Sequence, residues 1–223
     1  MKITWFGHSN FQIESNKKIL IDPFFKGNPA IKDQSIVDEI EVDFVIITHA
    51  HADHLGDTIE ICKRTGAIAI ANFEIVNHLT EKGVKAHPLH IGGKKKFDWG
   101  FIKLVPAVHG SSFQDGSYGG YPAGVVINIE GKNIYHCGDT GLSYEFMMIG
   151  ETMDIDLVML PVGDNFTMDV HDAAIAAKWV KTKKVIPMHY NTFDLIKVEK
   201  DEIIESFKDF DLILMDPGET VNM

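Results

Sequence analysis

Short apolar runs separated by polar turns dominate the first half of the chain. Residues 2–6, 10–14 and 18–21 are such runs, which predicts three consecutive strands. The run at 44–48 is apolar up to its last residue, as expected of a strand that is covered on both faces. A loop is predicted from Pro23 to about residue 38. The remaining predicted elements of this half are helices at 57–64 and 73–80, strands at 67–71 and 85–89, and a strand pair at 97–106.

The second half repeats the strands and adds longer helices. Residues 125–129 alternate between apolar and polar side chains, the period of a half-buried strand. Asp169 is expected to cap a helix whose apolar face holds Val170, Ala173 and Ala177. The other predicted elements are strands at 133–137, 157–161, 185–188 and 212–215 and a last helix at 199–207. Two β-rich halves with helices after the later strands favour two sheets packed face to face with helices outside. No low-complexity linker separates the halves, which favours a single domain over residues 1–223.

Histidines concentrate directly after the apolar strand at 44–48. His49 and His51 are two positions apart, so both can point to one side of a strand end and share a metal ion. Asp53 and His54 follow in the turn and can bind a second ion beside the first. A purely structural role is disfavoured, because packed imidazoles repel when protonated and are costly to bury unpaired.

Three more candidate ligands each follow a predicted strand. These are His109, Asp139 and His189. Asp139 lies between Gly138 and Gly141, and glycines allow the backbone to approach an ion closely, so this carboxylate can bridge two ions. Each residue alone is a weak signal, but their shared position after strands predicts a single site.

Together with Asp22 in the run Ile-Leu-Ile-Asp-Pro, this pattern resembles the metallo-β-lactamase superfamily. Across the whole chain it is similar to small metal-dependent hydrolases related to ascorbate-phosphate lactonase. The resemblance implies an α/β fold, an αββα four-layer sandwich with a dinuclear metal cleft along one edge of its sheets.

The resemblance also implies a role for each residue. The first metal would be bound by His49, His51 and His109, and the second by Asp53, His54 and His189, with Asp139 bridging. Asp22 would orient a ligand histidine, as metal-bound imidazoles usually require. Asp53, Asp139 and His8 are expected to take part in catalysis, although His8 could instead form a structural hydrogen bond in its turn.

Residues beside these motifs are open to two interpretations. Tyr190 and Asn191 could donate hydrogen bonds to a substrate oxyanion, and His171 is expected to be a polar surface residue. Specificity is expected to lie in the loops at 26–38 and 111–121, because loops at a cleft usually carry it.

Composition narrows the classes of partner. Lys and Arg number 21 and Asp and Glu 32, giving a formal net charge of −11, which argues against general nucleic-acid binding. Arg64 is the only arginine, so bidentate arginine clamps on anions are almost unavailable. Two cysteines are interpreted as reduced thiols, and no apolar run has the length of a signal peptide or a membrane span. We therefore expect a cytoplasmic protein that acts on a small molecule and not at a membrane.

Three functions remain open. Two divalent ions, zinc first with Mn, Ni or Fe as alternatives, would lower the pKa of a bridging water from ~15.7 toward ~7. The main hypothesis is a hydrolase whose metal-bridged hydroxide cleaves an ester, lactone, amide or phosphodiester bond. The alternatives are an iron-dependent redox enzyme or dioxygenase on the same fold, and a non-catalytic metal-binding protein.

Overall fold

Fourteen strands form two mixed sheets in the computed structural model, which describes residues 1–223. In chain order the strands are β1 (Lys2–Gly7), β2 (Asn10–Glu14), β3 (Lys18–Ile21), β4 (Phe44–Ile46), β5 (Ile68–Ala71), β6 (Ala86–Pro88), β7 (Lys94–Phe97), β8 (Gly100–Pro106), β9 (Ala123–Ile129), β10 (Lys132–His136), β11 (Leu157–Pro161), β12 (Lys184–Met188), β13 (Asp211–Leu212) and β14 (Thr220–Asn222). The helices are α1 (Ile36–Glu39), α2 (Ala52–Leu55), α3 (Thr58–Thr65), α4 (Phe73–Glu81), α5 (Glu145–Thr152), α6 (Val170–Val180) and α7 (Lys200–Ser206), with a 3₁₀ turn at Asp194–Ile196. None of these helices combines the length and the apolar character needed to cross a membrane.

Strand direction determines where the connecting segments lie. The first sheet has the order β14-β1-β2-β3-β4-β5-β6 and the second β13-β12-β11-β10-β9-β8-β7. Because β1–β2 and β2–β3 pair antiparallel and β3–β4 pairs parallel, β1, β3 and β4 all run in one direction. In the second sheet β8, β10 and β12 share a direction for the same reason.

The all-apolar strands are covered on both faces. Ile19 and Ile21 of β3 join the core between the sheets, whereas Leu20 joins a cluster on the outer face of the first sheet. In β4, Ile46 faces inward and Val45 outward. Burying such a side chain stabilises the fold by about 1.5–3 kcal/mol, which explains why polar residues do not alternate into these strands.

Helices cover the outer face of each sheet. Val37, Ile61 and Ile75 of α1, α3 and α4 pack on the first sheet. Phe146 of α5 and Ala173 of α6 pack on the second. The layer order is therefore helix, sheet, sheet, helix, which confirms the predicted αββα sandwich.

Most predicted elements are present, with some differences. The Asp169 carboxylate caps α6 by accepting a hydrogen bond from Asp172 N, as expected. The predicted loop at 26–38 instead contains the start of α1, and α5 was not predicted. In place of the predicted strand 212–215, the structure has the shorter β13 at Asp211–Leu212. Strand β14 was not predicted. β14 is three residues long and exists because it pairs with β1 at the other end of the chain, a contact that no local pattern encodes.

Candidate metal centre

The polar segments that follow six strands meet at one edge of the two sheets. Strands that run in one direction place their carboxyl ends at the same edge, where α/β proteins commonly bind ligands. The residues brought there are His8 after β1, Asp22 after β3, His49, His51, Asp53 and His54 after β4, His109 after β8, Asp139 after β10, and His189 after β12.

His49, His51 and His109 form one group. Their ligand nitrogens lie within 4.8 Å of one another. His49 Nε2 is 2.9 Å from His51 Nδ1, and the ring of His109 is centred 5.1 Å from that of His49 and 5.2 Å from that of His51. His49 is buried, and the other two rings are partly exposed. Three imidazoles that converge on one point are a common ligand set for a catalytic zinc ion.

A second group lies next to the first. It contains Asp53, His54 and His189 together with His8, and its ligand atoms also lie within 4.8 Å of one another. The rings of His54 and His189 are stacked with centroids 5.8 Å apart. The ring of His54 is only 4.0 Å from that of His49, so the two groups are adjacent.

Asp139 lies between the two groups. Its Oδ2 atom is 3.0 Å from His189 Nε2, 3.3 Å from His54 Nε2 and 3.5 Å from His109 Nε2. One carboxylate oxygen therefore reaches imidazoles of both groups. The bridging role expected for Asp139 stays a prediction.

Gly138 allows this close approach. Its backbone is left-handed, with φ +63°, and a Cβ at this position would lie 2.5 Å from Ala123 O and 3.1 Å from Thr48 Cβ. Any side chain here would displace the loop that carries Asp139. The glycine before Asp139 is thus required by backbone packing across the two sheets.

Asp22 orients two of the histidines. Its Oδ2 accepts hydrogen bonds from His54 Nδ1 and from Thr48 Oγ1, each at 2.7 Å, and its Oδ1 accepts one from Thr48 N at 2.8 Å. Since Thr48 Oγ1 donates to Asp22, it can accept from His49 Nδ1, which is 3.0 Å away. Both rings are thereby held with Nε2 free to face the cluster.

His8 is buried beneath the second group. Its Nε2 is 3.0 Å from Asp53 Oδ2 and its Nδ1 is 3.0 Å from Thr192 Oγ1. Its carbonyl oxygen accepts a hydrogen bond from His189 N at 2.9 Å. Because an ionised carboxylate only accepts, Nε2 donates to Asp53 and Nδ1 is left to accept from Thr192. Neither ring nitrogen is free to bind a substrate.

Three residues of the site have a left-handed backbone although none is glycine. The φ angles are +56° at His8, +46° at Asp22 and +55° at His189. Each comes immediately after a strand, or one residue beyond it, and the unusual conformation turns its side chain into the cluster. Such conformations cost of order 1–3 kcal/mol each and concentrate at functional sites.

Burial keeps most of the imidazoles neutral. It lowers the pKa of His49 well below the usual histidine value, and it also lowers the pKa of His51 and His109. Burial, aided by the nearby His189, lowers the pKa of His8 to about 4. Neutral imidazoles have the free lone pair that metal binding needs.

The pKa of His54 is raised, unlike the pKa values of His8, His49, His51 and His109. Burial alone lowers its pKa, but the carboxylates of Asp139 and Asp22 outweigh burial and raise the pKa well above the usual value. Burial opposes ionisation of Asp139 and Asp53 as well, yet neighbouring histidines hold the pKa of both carboxyls below their usual range. In the absence of metal, the raised pKa favours a proton on His54, which lies between the carboxylates of Asp22 and Asp139.

Buried polar atoms without protein partners indicate where a bound group would attach. Asp139 Oδ1 and His189 Nδ1 are buried and make no hydrogen bond, and His54 Nε2 has only the Asp139 carboxylate nearby, at 3.3 Å. Leaving such an atom unpaired costs about 1–3 kcal/mol, unless a bound group uses it. A donor set of imidazoles and carboxylates suits zinc and other first-row divalent ions, so the residues present fit a metal centre.

The cluster opens into a cavity of about 240 Å³. Its lining residues are His51, Asp53, His109, Asp139, Phe166, His189 and Phe193. A larger cavity of about 510 Å³ lies between residues 30–36 and residues 216–218, but it contains no group of the cluster. Chemistry, and not volume, therefore identifies the functional cavity.

The predicted specificity loops do not line this cavity. The segment 26–38 lines the larger cavity instead. The segment 111–121 packs behind the ligand loop, where Ser111 Oγ accepts a hydrogen bond from Ala50 N at 3.2 Å and donates one to Gly119 O at 3.0 Å. The cavity walls come instead from the segments that follow β11 and β12, which reach the carboxyl edge directly and contribute Phe166 and Phe193. The role of the two predicted loops in specificity stays a prediction.

Sequence reasoning missed four residues of the site. Thr48, Thr192 and Phe193 each lie within four positions of a ligand candidate, so proximity in sequence was the available signal. Phe166 had no such signal.

Other sequence candidates lie outside the cluster. His171 is exposed on α6. The side-chain amide of Asn191 donates a hydrogen bond to Val198 O and accepts one from Val198 N, so it stabilises its own loop. Tyr190 stacks on Trp5 at 5.6 Å, and its hydroxyl stays protonated because burial and the charge of Asp216 raise its pKa to about 12. Neither Tyr190 nor Asn191 lines the cavity.

Known proteins share this sequence and structure. The sequence model of the β-lactamase superfamily domain matches residues 17–190. Proteins named UPF0173 metal-dependent hydrolase from Bacillus cereus and Anoxybacillus flavithermus are 44% and 45% identical, over the full length of both chains in each case. The structure of Igni18, described as a metallo hydrolase from the archaeon Ignicoccus hospitalis, has a TM-score of 0.90 at 40% identity and covers 99% of this chain and 97% of its own. The chain belongs to the metallo-β-lactamase superfamily and, within it, to the UPF0173 family of metal-dependent hydrolases.

Proposed function

We propose that the protein binds two divalent metal ions and uses them to hydrolyse an ester, lactone or phosphodiester bond in a small molecule. His49, His51 and His109 would bind the first ion, and Asp53, His54 and His189 the second. The observation that carries the proposal is the position of Asp139, whose Oδ2 lies within 3.5 Å of imidazole nitrogens from both groups. Zinc is the first choice of metal, since tetrahedral sites of nitrogen and oxygen ligands suit it.

When bound, the ions would supply Lewis acidity and a water whose pKa is lowered from 15.7 to about 7. Hydrolysis adds water across the bond: the acyl C–O bond (P–O in a phosphodiester) breaks, a new C–OH or P–OH bond forms, and the leaving oxygen takes up a proton. Asp53 lines the cavity as an ionised carboxylate and can accept a hydrogen bond from the attacking water, whose proton ends on the leaving oxygen. Asp139 stays ionised and lies between the two groups.

Within this proposal His8 acts through Asp53. The hydrogen bonds from Thr192 to His8 and from His8 to Asp53 fix the carboxylate without exposing the ring. His8 is therefore assigned as a positioning residue and not as a group that touches the substrate.

The oxidative alternative is less well supported. The sequence relatives are named as hydrolases, and His51 occupies the position where a flavodiiron site has a carboxylate.

We also place the activity in the cytoplasm, which the two free, buried cysteines support.

The test combines metal content with turnover. The purified protein is stripped with a chelator and reloaded with Zn, Mn or Ni, and a panel of lactones, thioesters and phosphodiesters is assayed. We expect about two ions per chain and a hydrolysis that disappears on chelation and returns with metal. Saturation at one ion would overturn the dinuclear proposal, and turnover that survives complete chelation would show that the cluster is not the catalyst. An iron-dependent absorption band with oxygen consumption would favour the oxidative alternative.

A further inference from the structure

The cavity at the metal-binding cluster has aromatic walls and no cationic side chain. Phe166 and Phe193 line it together with five histidine or aspartate residues, and no lysine or arginine is among the lining residues. Lys197, in the same loop as Phe193, forms an ion pair with Asp194 at 2.7 Å. A substrate in this cavity would therefore contact histidine and aspartate side chains and two aromatic rings, but no lysine or arginine.

Phe193 is held in place by the residues that support the cluster. Its ring packs edge-on against His8 with centroids 5.5 Å apart, and it lies 6.4 Å from the ring of Phe24. The preceding residue, Thr192, is buried and bonds His8 Nδ1. This ring is thus fixed relative to Asp53, which His8 also contacts.

Phe166 is fixed relative to Asp139. It lies in a tight turn in which Asp164 N donates to Met168 O at 3.0 Å. Met168 N in turn donates to Thr140 O at 3.1 Å, one residue beyond Asp139. The loop that carries Phe166 is therefore tied by its backbone to the loop that carries the central carboxylate.

Both rings remain substantially exposed. Phe166 is 51% and Phe193 41% accessible to solvent. A single exposed phenylalanine is ordinary on a protein surface. Two rings from separate loops that line one small cavity beside a metal-binding cluster provide a site for an apolar group, because pockets of this kind bind ligands through apolar walls and a few placed polar groups.

From this arrangement we infer that the substrate is an uncharged ester or lactone with an apolar or aromatic group, which Phe166 and Phe193 select. The inference rests on the proposed hydrolytic function and narrows it. Apart from the bound ions themselves, phosphodiesters and carboxylate-bearing esters would find no side-chain cation to hold their charge. The cavity is only about 240 Å³, so the group that enters it is small.

The test uses three lactones with the same ring: γ-methyl-, γ-phenyl- and γ-carboxy-butyrolactone. They are assayed with the metal-loaded protein, with Phe166→Ala and with Phe193→Ala. Leu195→Ala and Phe73→Ala are matched controls, since these side chains are 67% and 58% exposed but do not line the cavity. Binding of benzohydroxamate and acetohydroxamate, measured by calorimetry, gives a readout that does not depend on turnover.

We expect kcat/KM to be highest for the phenyl lactone and lowest for the carboxy lactone. Each Phe→Ala variant should reduce the preference for phenyl over methyl by roughly 3- to 10-fold, mainly through KM, since one aromatic contact contributes about that much. The preference for benzohydroxamate over acetohydroxamate should fall by a similar factor, and both controls should keep the original ratios.

The outcomes separate the two proposals. Hydrolysis of the lactones with unchanged phenyl-to-methyl ratios in both variants, or a preference for the carboxy lactone, would overturn the inference and leave the hydrolytic function intact. If no lactone were cleaved but the hydroxamate preference still fell in the variants, apolar selection would stand and the proposed lactone or ester chemistry would be wrong.

Discussion

Asp22 Oδ2 accepts a hydrogen bond from His54 Nδ1 at 2.7 Å, although the two residues are 32 positions apart in sequence. Both side chains are fully buried. The same carboxylate accepts from Thr48, whose hydroxyl is in contact with His49 Nδ1. One aspartate outside the metal-binding groups therefore sets the orientation of one imidazole in each group.

This relationship predicts the effect of Asp22→Asn. The substitution keeps the shape but removes the charge and one acceptor, so both rings lose part of their orientation. We expect metal affinity to fall by about 10–100-fold while the circular dichroism spectrum is retained. Asp43→Asn is the matched control, because Asp43 also accepts a backbone hydrogen bond, from Lys18 N, but at the opposite edge of the sheet. Equal metal affinity in the two variants would contradict the assigned role.

The raised pKa of His54 predicts proton release on metal binding. At neutral pH the metal-free protein holds a proton on this ring, and a metal ligand must be neutral. Calorimetric titration with zinc in buffers of different ionisation enthalpy should detect this proton, and the release should shrink as pH rises through the raised pKa. For the metal-free fold, stabilisation by protonated His54 is complete below its unfolded pKa of ~6.5 and is lost as pH rises through the folded pKa. Because Asp22 contributes to the raised value, Asp22→Asn should release fewer protons; an unchanged release would argue against this origin.

Local patterns allowed the strands and the ligand candidates to be predicted, whereas the αββα topology was implied by the resemblance to the metallo-β-lactamase superfamily. Apolar runs such as β3 and β4 specified buried strands, and the strand ends located His49, Asp139 and His189. Strand direction brings these ends to one edge, which the resemblance implied and the order of elements alone did not show.

The parts that were missed depend on contacts between distant segments. β14 is three residues long and is stabilised by β1, and no local pattern marks it. The walls of the cavity were assigned to the wrong loops, because the length and composition of a loop do not indicate the edge of the sheet at which it lies. The loop that carries Phe166 is tied to the Asp139 loop by a backbone bond from Met168 N to Thr140 O, a contact between distant segments.

The chain of hydrogen bonds through His8 can be tested at its buried end. Thr192→Val removes the hydroxyl that pairs with His8 Nδ1 and nearly preserves volume. It leaves a buried nitrogen unpaired, so the free energy of unfolding should fall by about 1–3 kcal/mol. Since Asp53 would be held less firmly, kcat should fall with little change in KM. The ion that Asp53 would bind should also dissociate faster than the other. Thr182→Val is the control, a buried threonine just before β12 at the far edge. If Thr192→Val loses stability but keeps its kcat, His8 has a structural role only.

Asp139 provides the sharpest test of the two-metal arrangement. Its Oδ2 contacts His109 of one group and His54 and His189 of the other. If it binds both ions, Asp139→Ala should lower the affinity for both together. His109→Ala should weaken mainly the first ion, and His189→Ala mainly the second. Metal content per chain, measured with turnover for the three variants, distinguishes these patterns, and Asp115→Ala serves as an exposed carboxylate control.

Folding is not expected to limit this comparison. Asp139 lies in the loop after β10 at the edge of the sheets, and no apolar core contact depends on its carboxylate, so circular dichroism should match that of the unchanged protein. Removing the Asp139 carboxylate also removes a main cause of the raised pKa of His54, so this ring should become easier to deprotonate while the affinity for both ions falls. Both changes follow from one oxygen that reaches both groups. Should folded Asp139→Ala keep two tightly bound ions and near-normal turnover, the carboxylate does not bridge, and hydrolysis would have to depend on the two histidine groups alone.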